Sequence, residues 1–323
     1  MIRPFIKWAG GKTRVLPDLL PHLPKADCLI EPFVGGASVF LATEYRRYVL
    51  ADINPDLINL YREVTRYPDL VIDAARELFN SKNSPQGYNE VRAAFNKQVG
   101  TVKSGGLRYG AEMACIMRAA QFLYLNRHGY NGLCRYSRKT GFNVPFGKYK
   151  SVYFPENEIR LFAEKANDTK AIFLCAPFQR SLQVVTGGDV LVYCDPPYLP
   201  ESKTADFTQY HTEPFTEDNH RQLVQALLEV NRKHGVKVVI SNSDTEATRA
   251  IYQPFKMHEI SVQRSVNTDK DNRQKAKEVI GVLPVCDCCG RYGGGCPDCG
   301  AVMGDATYNA MVAAGTFDDL EAF

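Results

Sequence analysis

Residues 26–55 read ADCLIEPFVGGASVFLATEYRRYVLADINP, and this stretch decides the fold. An apolar run at 26–30 is followed by a Gly-Gly turn at 35–36 and a segment with helical spacing at 39–46. A second apolar run, at 48–51, then leads to the acidic residue Asp52. An apolar run that ends in a glycine turn is typical of a buried strand leading into a helix. Together these features predict a nucleotide-binding βαβ unit.

The rest of the chain extends this unit into an α/β domain with an insertion. Apolar periodicity predicts further helices at 57–66, 68–80, 112–126, 156–166, 217–233 and 245–252, and strands at 171–175, 190–194, 236–241, 258–262 and 278–283. Residues 81–155 are instead rich in Asn, Arg, Tyr and Gly, and their second half, 127–150, has the turn formers of a hairpin. We expect a Rossmann-like α/β sheet built from 1–80 and 156–283, with 81–155 inserted as a mostly helical domain that carries a β-hairpin.

Composition and charge describe a globular protein and do not decide whether it binds nucleic acid. The 323 residues are 45% hydrophobic and 23% charged, with a formal net charge of +3. A chain of this length can bury one large core or two domains. The opening residues lack the pattern of a signal peptide, and no apolar run is long enough to span a bilayer. We therefore expect a cytoplasmic protein with no membrane partner.

A second stretch, Leu191–Tyr198, indicates the chemistry. It reads LVYCDPPY, which is a buried-strand pattern followed by a carboxylate, two prolines and an aromatic ring. An exocyclic amine on adenine or cytosine is a weak nucleophile, because its lone pair is delocalised into the ring. Asp195 and the Pro196 carbonyl can accept its two N–H hydrogens, and Tyr198 can stack on an extruded base. The motif predicts methylation of a base amine; the alternative is a strand followed by a proline-rich turn.

Three further segments suit a cofactor that contains a nucleoside. Phe5–Lys12 reads FIKWAGGK; its glycines let the backbone approach a ligand, and it lacks the spacing of a phosphate-binding P-loop. Phe33–Gly36 can direct backbone N–H groups at a ligand, and Asp52 can accept both hydroxyls of a ribose. S-adenosylmethionine has a ribose and no phosphate, so it fits this set. Each segment alone is equally compatible with a structural loop.

In this order, the motifs resemble the Dam-type DNA adenine-N6 methyltransferases, the D12 class. The resemblance runs from about Phe5 to Leu283 and includes Leu125–Tyr136 and Phe142–Tyr149. It implies transfer of a methyl group from S-adenosylmethionine to a flipped adenine in double-stranded DNA, most often in GATC. The family's catalytic motif matches Asp195, Pro196 and Tyr198, and its cofactor contacts match Trp8, Lys12, Phe33, Gly35, Asp52 and Asp195.

The resemblance also implies which residues read the DNA. The base readers match Lys7 near the first guanine, Arg135 on a guanine, Leu133 and Pro145 against the third base, and Tyr130 and Asn131 beside the flipped adenine. Arginine can donate two hydrogen bonds to O6 and N7 of guanine, and a tyrosine wedge can fill the gap left by the target base. His128 replaces a tyrosine that is frequent in the family, so we expect an effect on base flipping or sequence tolerance and none on the reaction class.

Two alternative functions use the same fold. The first is a DNA-binding regulator without activity, for which loss of Asp52 or of the Asp-Pro-Pro-Tyr motif would be the expected sign. Both are present in this chain. The second is an enzyme that methylates another amine, on cytosine N4 or an RNA base. Cytosine-N4 enzymes more often carry Ser-Pro-Pro, so the sequence favours adenine.

The cysteines near the C-terminus predict a metal site outside this resemblance. Two C-x-x-C pairs, each followed by glycine, are formed by Cys286, Cys289, Cys296 and Cys299. Four thiolates suit tetrahedral Zn²⁺, and iron is the alternative. Cys288 could replace Cys286 or Cys289 as a ligand. We expect a small structural zinc ribbon at 284–303, with an unknown protein or DNA partner, followed by a tail at 304–323.

Overall fold

A seven-stranded mixed sheet organises the protein. The structure is a computed structural model that describes residues 2–97, 109–185, 188–199, 215–262 and 276–283. Its strands are β1 (Cys28–Glu31), β2 (Arg47–Asp52), β3 (Tyr136–Ser137), β4 (Gly141–Phe142), β5 (Ile172–Cys175), β6 (Val190–Cys194), β7 (Lys237–Ser243), β8 (Lys256–Val262) and β9 (Ala276–Val282). The predicted cysteine cluster, ribbon and tail, at 284–323, lie outside the described residues.

Ten α-helices fall within the described ranges. They are α1 (Leu16–Leu19), α2 (Ser38–Ala42), α3 (Pro55–Arg66), α4 (Pro68–Ser81), α5 (Pro85–Lys97), α6 (Tyr109–His128), α7 (Glu156–Asp168), α8 (Phe178–Leu182), α9 (Glu217–His234) and α10 (Glu246–Ile251). Within the described parts of the chain, none is long and apolar enough to cross a membrane.

The strand order shows where the chain changes the direction in which it crosses the sheet. The order is β5-β2-β1-β6-β7-β9-β8, in which the first five strands are parallel and β9 pairs antiparallel with both β7 and β8. From β1 the chain moves outward to β2 and β5, then returns to the other side of β1 to form β6. The topological switch point therefore lies between β1 and β6. In open α/β sheets, ligands bind in the crevice at the carboxyl ends of the strands at this point.

Both faces of the sheet are covered, as the apolar strands require. Successive side chains of a strand point to opposite faces. Leu191 and Tyr193 of β6 join a hydrophobic cluster that includes residues of α3 and α7, whereas Val192 and Cys194 join a second cluster with residues of α8, α9 and α10. The carboxyl ends of β1, β2 and β6 are thus fixed from both sides.

The helical segment between β2 and β5 packs on the sheet without a separate core. Helix α6 contacts α3, α4 and α5 and is buried along most of its second half, 119–126. A helix that is apolar on all sides is expected at the centre of such a bundle. Buried Phe95 and Phe122 of this segment belong to the same hydrophobic cluster as Leu29 and Tyr48 of the sheet. The hairpin β3–β4 follows α6 and is held by this platform.

Most predicted elements occur within a few residues of their expected bounds, and the helix expected at 39–46 is shorter. Helix α2 ends at Ala42, and Thr43 is already extended, with φ −118° and ψ 158°. The Tyr48 hydroxyl donates to the Thr43 carbonyl (2.6 Å) and accepts the Tyr45 N–H (2.8 Å). These bonds replace the next helical turn, so residues 43–46 connect directly to β2. The hairpin predicted within 127–150 is present as the short pair β3–β4.

Candidate active site

The predicted catalytic motif lies at the switch point. Asp195–Tyr198 follows β6 directly, opposite the turn that follows β1. Asp195 Oδ1 lies 2.7 Å from Nζ of Lys12 and accepts the Ser241 hydroxyl at 2.9 Å. Burial raises the pKa of Asp195, while the Lys12 ammonium and the Ser241 hydrogen bond lower it. The N-terminal segment and the catalytic motif, about 180 residues apart in sequence, therefore form one charged site.

Tyr198 is held at its hydroxyl by a hydrogen bond and over its ring by a cation. Its hydroxyl donates to Oε2 of Glu278 at 2.8 Å, and Nζ of Lys12 lies 4.6 Å from the ring centroid. Burial raises the pKa of the Tyr198 hydroxyl well above its usual value, with the charges of Asp195 and Glu278 acting in the same direction. The hydroxyl therefore stays protonated and continues to donate to Glu278. The ring presents a fixed flat surface beside Asp195.

Lys12 is one of the few buried cations among the described residues, and its ammonium has two oxygen contacts. Besides Asp195, it donates to the Gly10 carbonyl at 2.9 Å, and the residue is only 6% exposed. The preceding residues Phe5 and Ile6 are buried in the first hydrophobic cluster. This anchoring fixes the N-terminal segment over the sheet instead of leaving it as a loose terminus.

The turn after β1 packs against Trp8. Gly35 has φ +45°, and a Cβ at this position would lie 2.8 Å from Nε1 of Trp8. Only glycine therefore fits here. The Gly35 N–H donates to Oδ2 of Asp52 at 3.1 Å, and its carbonyl accepts the Tyr61 hydroxyl at 2.5 Å. Trp8, Gly35 and Asp52, which come from three separate segments, are brought together.

Asp52 lies at the end of β2 with its carboxylate directed to the turns. Its Oδ1 accepts the N–H of Asn54 at 2.9 Å. Burial raises the pKa of Asp52 to about 6, against the opposing effect of the backbone hydrogen bonds from Asn54 and Gly35. A carboxylate at this edge can still accept hydroxyl groups, because each oxygen has a second lone pair.

Two further side chains line the same edge of the sheet. The ring of Phe33 lies 5.8 Å from that of Phe178 and 5.7 Å from that of Phe215, which forms an aromatic wall beside the turn. Glu31, at the end of β1, is 2% exposed, and its Oε1 has no hydrogen-bond partner among the described residues. Desolvation, together with the charge of Asp195, raises the pKa of Glu31 to about 8.

The predicted DNA readers form a second group, next to the N-terminal segment. Nδ2 of Asn126, which is fully buried, donates to the carbonyls of Lys7 (2.7 Å) and Gly132 (3.2 Å), and its Oδ1 accepts the Lys7 N–H (2.8 Å). The Tyr130 N–H donates to the Pro145 carbonyl at 2.8 Å. Lys7 and the turn that carries Tyr130 are thus joined through one buried amide.

Tyr149 completes this group. Its ring lies 4.3 Å from Nζ of Lys7, and its hydroxyl accepts the N–H of Asn131 at 3.0 Å. Burial and the charge of Arg127 lower the pKa of Lys7. Tyr130, Asn131 and the neighbouring Pro145 are exposed, as a surface that meets another molecule requires.

The hairpin presents Arg135 to solvent in a fixed orientation. Its Nε donates to Oδ1 of Asn143 at 2.7 Å, and the neighbouring Leu133 is half-buried against the hydrophobic cluster. No Asp or Glu occurs between Glu112 and Glu156, a stretch that holds seven Lys and Arg residues. A surface of this sign suits the phosphates of nucleic acid.

The residues that support the motif from other elements are not indicated by the sequence motifs. Ser241, Glu278, Asn126, Tyr149 and Glu31 lie outside the predicted set, although Tyr149 falls within a matched stretch. Buried polar side chains at the carboxyl ends of strands are the signal that could have identified Ser241 and Glu31. Among the described residues, no group of three or more His, Cys, Asp or Glu side chains is arranged to hold a metal.

The chain is similar in sequence to known proteins of one family. Residues 8–266 match the profile of the D12 class N6 adenine-specific DNA methyltransferases. The chain is 46% identical to the DNA adenine methylase of Escherichia coli K12 over 279 residues, which cover 86% of this chain and 94% of that protein. It is 44% identical over 277 residues to the retron Ec67 DNA adenine methylase of Escherichia coli (86% and 90% covered) and 41% identical over 282 residues to the DNA adenine methylase of Vibrio cholerae O395 (87% and 96% covered). The chain therefore belongs to the D12 class N6 adenine-specific DNA methyltransferase family and is an adenine-specific DNA-methylating enzyme.

Proposed function

We propose that this enzyme methylates N6 of an adenine that is flipped out of double-stranded DNA, within GATC, with S-adenosylmethionine as the methyl donor. One observation carries the proposal. The Asp195–Tyr198 motif lies at the switch point of the sheet, bonded to Lys12 and Ser241 and next to the Gly35 turn. The relatives named DNA adenine methylase support adenine in DNA as the substrate.

The side chains at this edge suit S-adenosylmethionine. Asp52 can accept the ribose hydroxyls, and its carboxylate is already directed to the edge by two backbone N–H groups. The positive charge of Lys12 suits the cofactor's carboxylate, and the negative charge of Asp195 suits its ammonium group. Trp8 and Phe33 supply aromatic surface for its base. When bound, the cofactor supplies an electrophilic methyl group on a sulfonium centre.

Asp195 and Pro196 act on the target amine. Among the described residues, both hydrogen bonds to Asp195 go to Oδ1, so Oδ2 is left to accept one N–H of adenine N6. The carbonyl of Pro196 accepts the other N–H. With both hydrogens held, the nitrogen lone pair is directed out of the ring plane, toward the methyl group. As the nitrogen gains the methyl, the bond between that methyl and sulfur breaks and the neutral thioether S-adenosylhomocysteine leaves; the nitrogen loses one proton, which Asp195 can accept.

Tyr198 and the hairpin supply the substrate. The ring of Tyr198 stacks on the flipped adenine, and Tyr130 fills the gap left in the duplex, which offsets an extrusion cost of about a few kcal/mol. Arg135 donates to O6 and N7 of a guanine, and Lys7 lies near the first guanine. Leu133 and Pro145 contact the third base. Asn131 lies beside the flipped adenine. Residues 81–155 act as the target-recognition domain, and residues 1–80 and 156–283 form the catalytic domain.

A plasmid assay tests this proposal. Plasmid DNA is incubated with the enzyme and methyl-labelled S-adenosylmethionine, then digested with one nuclease blocked by GATC methylation and one that requires it. We expect label in the DNA, resistance to the first nuclease and sensitivity to the second. The Asp195→Asn variant keeps the shape of the side chain and should lose transfer while still folding. Absence of label would overturn the enzyme assignment, and label without protection at GATC would overturn the site.

We propose further that Cys286, Cys289, Cys296 and Cys299 bind a structural Zn²⁺, with iron as the alternative. The spacing of the two C-x-x-C-G sequences supports this assignment. Metal analysis of the purified protein and of a Cys296→Ser, Cys299→Ser variant tests it. We expect one zinc per chain in the first and none in the second; equal zinc content in both would contradict it.

A further inference from the structure

The turn that joins β2 to α3 is bonded to both groups of site residues. It begins at Asp52, whose Oδ1 accepts the N–H of Asn54 at 2.9 Å. Asn54 caps α3, because its Oδ1 accepts the N–H groups of Asp56 (3.0 Å) and Leu57 (3.2 Å). Its Nδ2 donates to Sγ of Cys134 at 3.4 Å. One buried amide therefore links the cofactor edge, the start of α3 and the segment that leads into the hairpin.

Asp56 makes the second connection. Its Oδ1 accepts Nε of Arg118 at 2.6 Å, and its Oδ2 accepts the hydroxyl of Tyr136 at 2.7 Å. Arg118 also donates to the Phe95 carbonyl at 2.9 Å and stacks on the ring of Phe95. The side chains of Asp56 and Arg118 are only 5% and 7% exposed, so the pair is shielded from water and has one geometry. Hydrogen bonds to a charged group are the stronger kind.

Arg135 lies between these two anchors. Its neighbours in sequence, Cys134 and Tyr136, are bonded to Asn54 and Asp56, while its own side chain is bonded to Asn143 across the hairpin. The first turn of α3 and the backbone of Arg135 therefore form one rigid unit. A displacement of the turn that carries Asp52 would therefore also move the backbone of Arg135.

We propose that Asn54, Asp56 and Tyr136 are positioning residues that couple cofactor binding at Asp52 to DNA reading by Arg135. The proposal rests on the proposed function, since it takes S-adenosylmethionine and GATC as the two ligands. Coupling between two binding sites is reciprocal. The correct DNA site should therefore tighten the binding of a cofactor-type ligand more than an altered site does, and loss of the connection should weaken this difference.

The test is the Tyr136→Phe variant, which removes one hydroxyl and leaves Asp56 paired with Arg118. The affinity for S-adenosylhomocysteine is measured by calorimetry without DNA, with a GATC duplex and with a duplex altered at one guanine. In the wild type, we expect tighter binding with GATC than with the altered duplex. In the variant, the ratio of these two affinities should fall by about tenfold, the effect of one hydrogen bond to a charged group. The ratio of kcat/KM for the two duplexes should fall with it.

Tyr67→Phe is the matched control. It also removes a tyrosine hydroxyl from a carboxylate, since Tyr67 donates to Glu112, but at the opposite end of α3. We expect both ratios to be unchanged in this variant. A second pair keeps the test independent of Tyr136: Cys134→Ala removes the acceptor for Asn54 and should lower both ratios, whereas Cys134→Ser retains an acceptor and should restore them.

The outcomes separate this proposal from the proposed function. A wild-type enzyme that methylates GATC but binds S-adenosylhomocysteine equally with both duplexes would overturn the coupling. Unchanged ratios in Tyr136→Phe, or an equal loss in Tyr67→Phe, would overturn it as well, because the second result would reflect general loosening of the helices. If the wild type neither binds S-adenosylhomocysteine nor methylates GATC, the proposed function fails and the coupling fails with it.

Discussion

At the scale of single residues, the protonation state of Asp195 depends on two neighbours. Burial opposes ionisation of this carboxylate, while the ammonium of Lys12 at 2.7 Å and the hydroxyl of Ser241 favour it. The proposed chemistry needs the ionised form, because only that form accepts an N–H at Oδ2 and then takes up the released proton. In the proposed function, Lys12 therefore serves the reaction as well as the binding of the cofactor's carboxylate.

Replacing Lys12 with methionine tests this role. Loss of the ammonium raises the pKa of Asp195, so the rise of single-turnover rate with pH should move to higher pH, and the rate at pH 7 should fall by at least about tenfold. The measurement is the pH profile at saturating cofactor and DNA, which separates chemistry from binding. The exposed Lys25→Met variant serves as control and should retain the wild-type profile. An unshifted profile for Lys12→Met would remove Lys12 from the chemistry.

Gly132 gives a second prediction at this scale. It has φ +64°, and a Cβ would lie 2.3 Å from Cβ of Lys7. Gly235, at the end of α9, has φ +66°, and a Cβ added there would meet nothing within 4 Å. Alanine at either position should cost about 1–2 kcal/mol of unfolding free energy through backbone strain. Only Gly132→Ala should also displace Lys7, seen as at least about tenfold lower discrimination in kcat/KM at the first guanine. Equal selectivity in the two variants would contradict the contact.

At the scale of elements, the antiparallel strand β9 supports the catalytic motif. It lies between β7 and β8, and its Glu278 accepts the hydroxyl of Tyr198, which is 80 residues away in sequence. Strand β7 supplies Ser241 to Asp195. The motif is thus a loop supported by the two strands that follow it in the sheet order, which explains how a short proline-rich segment can have one geometry.

A double-mutant cycle tests this support. Tyr198→Phe keeps the stacking surface and removes the bond to Glu278, so the single-turnover rate should fall by about tenfold. Glu278→Met removes the oxygen that accepts this bond and should have a similar effect, and the double variant should be little worse than either, because both changes remove the same contact. Tyr198→Ala removes the stacking surface too and should cost about a further ten- to hundredfold. Strictly additive effects of Tyr198→Phe and Glu278→Met would show that the two residues act independently.

The sequence predicts the elements and the motif, but not the contacts between distant elements. The order of strands and helices follows from apolar spacing, and Asp195, Lys12 and Asp52 follow from motifs. The bonds of Lys7 to Asn126 and of Asp195 to Ser241 span 119 and 46 residues. Such pairs depend on strand order and helix packing, which periodicity within one segment does not encode. Helix α2 is shorter than its pattern indicates because the hydroxyl of Tyr48 in β2, only five residues from Thr43, replaces its last turn.

At the scale of the whole molecule, the site lowers the stability of the cofactor-free protein as pH rises. Glu31 and Asp52 have pKa values of about 8 and about 6 in the folded state, above their usual values of 4.5 and 3.8. The folded protein therefore holds protons that the unfolded chain has released, and stability falls as pH rises through these values. His128 and His220 act in the opposite direction, because their pKa values are lowered to about 4, but this contribution is complete near pH 6.5. Between pH 6.5 and 8, the decrease belongs to Glu31.

Replacing Glu31 with glutamine isolates this effect. The amide has nearly the same shape and does not titrate, so the variant should keep its stability where the wild type loses about 1–2 kcal/mol of unfolding free energy between pH 6.5 and 8. The measurement is urea unfolding of the cofactor-free protein at several pH values. The exposed Glu229 on α9 provides the control, and Glu229→Gln should follow the wild type. If wild type and Glu31→Gln lose stability in parallel over this range, Glu31 is ionised in the folded protein. Burial beside Asp195 would then not govern its protonation.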